Sequence, residues 1–207
     1  MRFSLIIICF VFACCKSTNS SLEKRLERVD EFKQERNWNR MISELDEIIK
    51  AVPNSADLYF QRGYAKEMAL RYEDCIQDFT KVIELDPSRS LARTNRGFAY
   101  QKLGQYENAI KDFTDELRVN PNPYSYEHRG LVWYLLKDNE AAYIDICKSI
   151  ELDPQNSIAY KSRSLVLVSM NRHKKACDDV SKAIELGIKT KYPDYTDEIE
   201  ELEASCK

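Results

Sequence analysis

A fixed spacing of glycines and prolines constrains this chain more than anything else in it. Gly63, Gly97 and Gly130 each follow an arginine (Arg62, Arg96, Arg129), and each stands 24 residues before a proline: Pro87, Pro121 and Pro154. The steps between the glycines are 34 and 33 residues. Self-similarity at a period near 34, carried by small residues at set offsets, is the mark of stacked helical hairpins. Between these punctuation points, apolar residues recur at three- and four-residue steps, the helical period.

Aligned on the glycine, the first helices are predicted to start near Leu22, Ala56, Ser90, Pro123 and Ser157. The second helices start near Trp38, Tyr72, Tyr106, Asn139 and His173. The first hairpin has Val29 in place of glycine, and the fifth has Ser164 and Ile188 in place of glycine and proline. Glycine within a helix costs about 1 kcal/mol against alanine, so its recurrence calls for a packing reason: close approach of the two helices. Cys75, Ala109, Ala142 and Ala176 supply small residues on the second helix, and Phe79, Phe113, Ile146 and Val180 large ones. Asp86-Pro87, Asn120-Pro121 and Asp153-Pro154 end the second helices, because proline disfavours the helical conformation of its predecessor. Glu116 occupies a position where the other hairpins carry Val82, Ser149 and Ala183. A carboxylate there is expected to reach water or a cation and to set its helix slightly off its neighbours.

These residues resemble the tetratricopeptide repeat, over about Leu22 to Ile188. The resemblance implies an all-α fold, a right-handed α-α superhelix of five hairpins over 22–188, with no cofactor, metal or catalytic residues. From Lys189 onward, Tyr192, Tyr195, Ile199, Leu202 and Cys206 form one apolar stripe. We expect a single capping helix over 189–207, an eleventh helix, closing the array.

The N-terminus reads as an address. Arg2 is the only charge before Lys16, and the run from Phe3 to Cys15, broken only by Ser4, is shorter than the roughly 20 residues a spanning helix needs. It suits a secretory signal. Val11-Phe12-Ala13-Cys14 resembles the processing site of bacterial lipoproteins, which implies a signal peptide over 1–13, acylation of Cys14 and a tether to residue 21. The alternatives are a secreted chain cut near Ala13 or after Ser17, with Asn19-Ser20-Ser21 as a sequon, and an uncleaved anchor.

A second regularity runs beside the glycines. Arg28, Arg62, Arg96, Arg129 and Arg163 are each followed, 16 residues on, by an acid: Glu44, Asp78, Asp112, Asp145 and Asp179. We expect structural ion pairs between the helices of each hairpin, since a partly buried arginine needs a partner. The alternative is a basic strip for acidic ligands. His128 and His173 lie outside metal-ligand spacing, and no phosphate loop or nucleophile motif is present, so no enzyme and no small-molecule substrate is expected. A formal charge of −3 argues against nucleic acid as partner. Cys75 reads as a core thiol and Cys147 as a more exposed one. Cys177 lies near the start of the last second helix and Cys206 ends the terminal stripe. Because an antiparallel helix returns to the beginning of its predecessor, the two are expected to form a disulfide in an extracytoplasmic setting.

The resemblance further implies that the first helices line a concave groove holding a protein or peptide. Its positions carry Phe60, Tyr64 and Met68; Leu91, Phe98 and Gln101; Tyr124, Glu127, Leu131 and Tyr134; Ile158, Lys161, Leu165 and Val168. We expect Phe60, Tyr64, Phe98, Tyr124, Tyr134, Ile158 and Lys161 to bind the partner, although burial between neighbouring first helices would account for many of them. The clamp by which some relatives hold a terminal carboxylate is not expected: Phe60 and Tyr64 stand in its places, and Asn95 alone fits. Two roles remain open. One is a membrane-tethered adaptor, and the other is a structural subunit of an envelope or secretion complex.

Overall fold

The computed structural model describes residues 21–206. The 1–13 segment and Cys14 lie outside the described residues. Among the described residues there is no strand. A first helix, α1, covers 21–34, and eleven more follow: α2 Trp38–Ala51, α3 Ala56–Met68, α4 Tyr72–Leu85, α5 Ala92–Lys102, α6 Tyr106–Val119, α7 Pro123–Leu135, α8 Asn139–Leu152, α9 Ser157–Ser169, α10 His173–Glu185, α11 Ile188–Lys191 and α12 Thr196–Ala204. They form consecutive hairpins, the arrangement of an all-α repeat fold. The chain divides into two compact units, one up to Ala92 and one from Arg93.

Polar side chains begin several helices. Ser55 accepts from the Leu58 N–H, Asn122 from Ser125, Asp138 from Ala141, and Asn156 from both Ile158 and Ala159, so donors with no intrahelical partner are satisfied. The turn inside every hairpin is closed the same way. Arg36, Leu70, Gly104, Lys137 and Asn171 adopt φ values of +54° to +72°. The amide after each donates to a carbonyl five residues back: Asn37 to Phe32, Arg71 to Lys66, Gln105 to Tyr100, Asp138 to Trp133 and Arg172 to Leu167. This is the left-handed helix terminus that favours glycine, yet only one of the five is glycine.

In the first unit, Val29, Met41, Leu45, Ile48 and Leu58 form a buried core against which Trp38 and Tyr59 pack. A Cβ added to Gly63 would lie 3.0 Å from the Phe79 ring. In the second unit the same approach recurs, at 2.8 Å from Phe113 for Gly97 and 2.7 Å from Ile146 Cγ1 for Gly130. Glycine at these positions is thus what lets the two helices of a hairpin meet.

Glu116 is 1% exposed and accepts from Asn120 Nδ2 at 3.1 Å, so of the two destinations expected for its carboxylate, water is not the one. Within its hairpin Phe113 meets Gly97 as closely as Phe79 meets Gly63. One expectation needs correction: the single capping helix over 189–207 is instead three pieces. Gly187 turns at φ +81°, α11 is four residues long, Pro193–Tyr195 is a 3-10 turn, and α12 follows. Proline at 193 removes an amide and cannot continue α11. The stripe splits accordingly, with Ile199 buried and Tyr192 and Cys206 exposed. Cys177 and Cys206 are joined, with Sγ atoms 2.07 Å and Cα atoms 5.6 Å apart.

Candidate functional site

Arginine–carboxylate pairs tie the two helices of each hairpin together. Arg62 donates from Nε and Nη2 to the two oxygens of Asp78 at 2.9 and 2.6 Å. Arg96 does the same to Asp112 at 2.7 and 2.8 Å. Arg129 grips Asp145 at 2.7 and 2.8 Å, and Arg163 grips Asp179 at 2.7 Å twice. In the first hairpin Arg28 and Arg25 share Glu44. Two parallel bonds make these pairs strong and directional. For Arg96, Arg129 and Arg163 the aspartate bonds hold the guanidinium charged against burial. For Arg62 burial is the largest influence and opposes the charge, but the bonds from Asp78 and Asp46 together outweigh it.

The sequence pairing leaves out a second contact. The remaining Nη1 points to the preceding hairpin, reaching Asp46 from Arg62 at 2.7 Å, Thr114 Oγ1 from Arg129 at 3.0 Å and Cys147 Sγ from Arg163 at 3.5 Å. Tyr59, Tyr126 and Tyr160, one turn before these arginines, lie under the guanidiniums at 5.3, 5.7 and 5.5 Å. So occupied, the arginines do not form a free basic strip.

The groove residues divide sharply. In the first unit, Phe60 packs edge-on against Phe79 and Tyr64 against Trp38. In the second unit, Tyr134 packs against the core of Ala142, Ile146 and Val166. Lys161 is buried: its Nζ donates to Glu198 at 2.9 Å and lies 4.1 Å from the Tyr195 ring. It belongs to the packing of the C-terminal segment, a correction to its expected role as a free partner contact. Phe98, Tyr124 and Ile158 stay together around a cleft of about 250 Å³, bounded by α5, α7, α9 and the 191–195 segment. Tyr124 is 55% exposed at its rim and Tyr192 40%.

Beneath the aromatic rim lies a polar floor. Glu127 is buried and accepts from Asn156 Nδ2 at 3.2 Å and Ser162 Oγ at 3.1 Å. Burial raises its carboxyl above the ordinary range against those two bonds and the nearby Lys161. The His128 ring stacks on Phe113 and meets Phe98 edge-on, with centroids 5.9 and 5.0 Å away. Burial, helped by the neighbouring Lys102 charge, pushes its imidazole down to about 4, so it is neutral at physiological pH. Two buried atoms of the cleft have no hydrogen-bond partner: His128 Nδ1 and Gln101 Oε1. Leaving such a group unsatisfied costs about 1–3 kcal/mol, and unpaired buried polar atoms call for an explanation. The repeat pattern places Gln101 on the groove, but no sequence signal marks its missing bond. His128 was legible only as a helix-face residue.

Elsewhere, Cys75 is buried and donates to the Tyr72 carbonyl at 3.2 Å. Burial pushes its thiol up to about 12. Among the described residues no cluster of His, Cys, Asp or Glu could hold a metal ion, and no helix is long and apolar enough to cross a membrane.

No curated protein sequence matches the chain. Among solved structures, MamA from Desulfovibrio magneticus RS-1 (residues 41 to the end) superposes with a TM-score of 0.72 at 20% identity, over 82% of this chain and 96% of that one. TTC0263, a thermophilic TPR protein of Thermus thermophilus, does so at 0.71 and 16% identity, over 87% and 98%. YrrB, a TPR protein with an unusual peptide-binding site, gives 0.61 and 15% identity, over 84% and 90%. These likenesses establish the fold, and residues 79–111 match the tetratricopeptide repeat family itself.

Proposed function

We propose that this chain is a protein–protein interaction module that holds a partner polypeptide in the cleft between α5, α7 and α9. One observation carries the reading: exposed aromatics, Tyr124 and Tyr192, stand over a floor with two buried polar atoms that lack partners. Aromatic anchors around a desolvated centre are the usual make-up of a binding hot spot. The peptide-binding site of YrrB, on the same fold, supports the same use. The lipoprotein-like sequence through Cys14 supports an adaptor tethered to a membrane outside the cytoplasm.

A photo-crosslinker at Tyr124 in the full chain, in membranes of the producing cell, tests the role. A Tyr124→Ala/Tyr192→Ala double variant should keep its helix content and lose partner binding, at about 2 kcal/mol for each anchor. Equal crosslinking from Ile144, an exposed residue of α8, would favour the structural subunit instead. The tether is tested separately by mass spectrometry of the mature N-terminus. An unmodified residue at Lys16 or later would overturn it, and Cys14→Ser should release the protein from membranes, since stable anchoring requires more than one acyl chain.

A further inference from the structure

The charges around the cleft are distributed unevenly, and this narrows what it can hold. Its buried ionisable groups are spoken for: Lys161 is paired with Glu198, and Glu127 is bonded to Asn156 and Ser162. Asp153, half-buried, accepts from the Gln155 amide at 3.0 Å in its own turn and remains, among the described residues, the cleft's one carboxylate with no cation partner, against two such lysines. The two exposed lysines lining the cleft differ. Lys102, whose Nζ lies 5.1 Å over the Phe98 ring, and Lys191 of α11 have no acidic partner within 4 Å among the described residues. Elsewhere in the same unit Lys111–Asp115, Lys148–Glu151 and Lys182–Glu185 are closed pairs, while Lys137, Lys174 and Lys175 are also exposed; what sets Lys102 and Lys191 apart is that both line the cleft.

Below these cations, Gln101 Oε1 and His128 Nδ1 await a donor and a complementary polar atom. A carboxamide oxygen and a neutral imidazole suit a peptide group, which offers one N–H and one C=O. They do not suit a buried charge. Beside them, Phe98, Leu131 and Ile158 offer an apolar seat.

We propose that the cleft takes an extended, acidic segment of a partner polypeptide. Its carboxylates meet Lys102 and Lys191 at the rim, a neighbouring apolar side chain sits on Phe98, Leu131 and Ile158, and a backbone peptide group satisfies Gln101 and His128. This rests on the reading of the cleft as a peptide site. The ligand carboxylates are side chains within the segment.

Three fluorescein-labelled octapeptide pools test it on the full processed chain by anisotropy. Each pool carries a fixed central leucine. The other positions draw on Ser and Gly with Asp/Glu in one pool, Lys/Arg in the second and Asn/Gln in the third. The acidic pool should bind about tenfold more tightly than the basic one, and the margin should shrink between about 50 and 300 mM salt as the rim charges are screened. Lys102→Glu/Lys191→Glu, both at exposed positions, should invert the order of the acidic and basic pools without moving the thermal midpoint. Gln101→Leu should weaken the acidic pool about fivefold with no loss of stability, since it removes an unsatisfied atom. Equal binding of the pools, or an order unchanged by charge reversal, overturns the acidic preference and leaves a peptide site standing. Unchanged affinity in Gln101→Leu overturns the peptide-group contact. If no pool binds, the peptide site itself falls.

Discussion

A Cβ placed on Gly130 would lie 2.7 Å from Cγ1 of Ile146, closer than side-chain carbons tolerate. The next nearest atom is the Ala142 carbonyl oxygen at 3.1 Å, part of a helix backbone that cannot yield cheaply. Gly130→Ala should therefore destabilise the second unit by about 1–3 kcal/mol from overpacking, even though alanine is the better helix former. Urea unfolding followed by circular dichroism checks it. A variant as stable as the parent would mean that α7 and α8 can move apart at no cost.

Leu70 presents the opposite case. It is 71% exposed and held at φ +59°, where a side chain costs about 1 kcal/mol and glycine almost nothing. Leu70→Gly should stabilise the first unit by about 0.5–1 kcal/mol, read as a higher melting temperature. Gly104→Ala, with open space around its Cβ but φ at +72°, should lose a similar amount.

Glu67 makes stability depend on pH. It is buried with Oε2 unpartnered, and burial raises its carboxyl from 4.5 to about 7. The folded state thus holds this proton more tightly than the unfolded chain does. Its contribution is full below pH 4.5 and is lost as pH rises through 7. Glu67→Gln, which mimics the protonated form, should gain about 2–3 kcal/mol at pH 8 and nothing near pH 4.5. Equal gains at both pH values would show that the effect is not protonation.

The Cys177–Cys206 bridge closes a sequence separation of 29 residues and pins α12 against α10. In the chain-entropy model such a closure is worth about 3 kcal/mol. Reduction should raise amide exchange in α11 and α12 first, while α7 and α8 keep their protection. The segment carrying Tyr192 and Tyr195 forms one wall of the cleft, so the same treatment should also weaken ligand binding. Unchanged exchange in α12 would show that Ile199 and the Lys161–Glu198 pair hold the segment unaided.

Helix positions were readable because punctuation and period agree. The second helices begin at Trp38, Tyr72, Tyr106, Asn139 and His173, each at its expected place. The third hairpin starts at Ala92 rather than near Ser90, because Leu91 takes a left-handed turn at φ +67° that no local residue announces. The C-terminal break was written in Gly187 and Pro193, but the apolar stripe through Tyr192 and Cys206 masks it. Lys161 reads as a groove residue because its partner, Glu198, lies 37 residues away, beyond any helical spacing. The unsatisfied atoms of Gln101 and His128 are properties of packing and have no signature in residue type. The second contact of Arg62, Arg129 and Arg163 is the same kind of property, since it depends on which residue the preceding hairpin presents.

That second contact grades the joints of the array. Arg62 meets a carboxylate at Asp46, Arg129 a hydroxyl at Thr114 and Arg163 only a thiol at Cys147. Hydrogen-bond strength falls in that order, from charge-assisted to neutral to the weak sulfur acceptor. In a stack whose stability is a sum of nearest-neighbour couplings, the softest of these three joints is the one between the fourth and fifth hairpins. Covalent closure is found on that same fifth hairpin, where Cys177 fastens the end of the chain across the segment most apt to peel away.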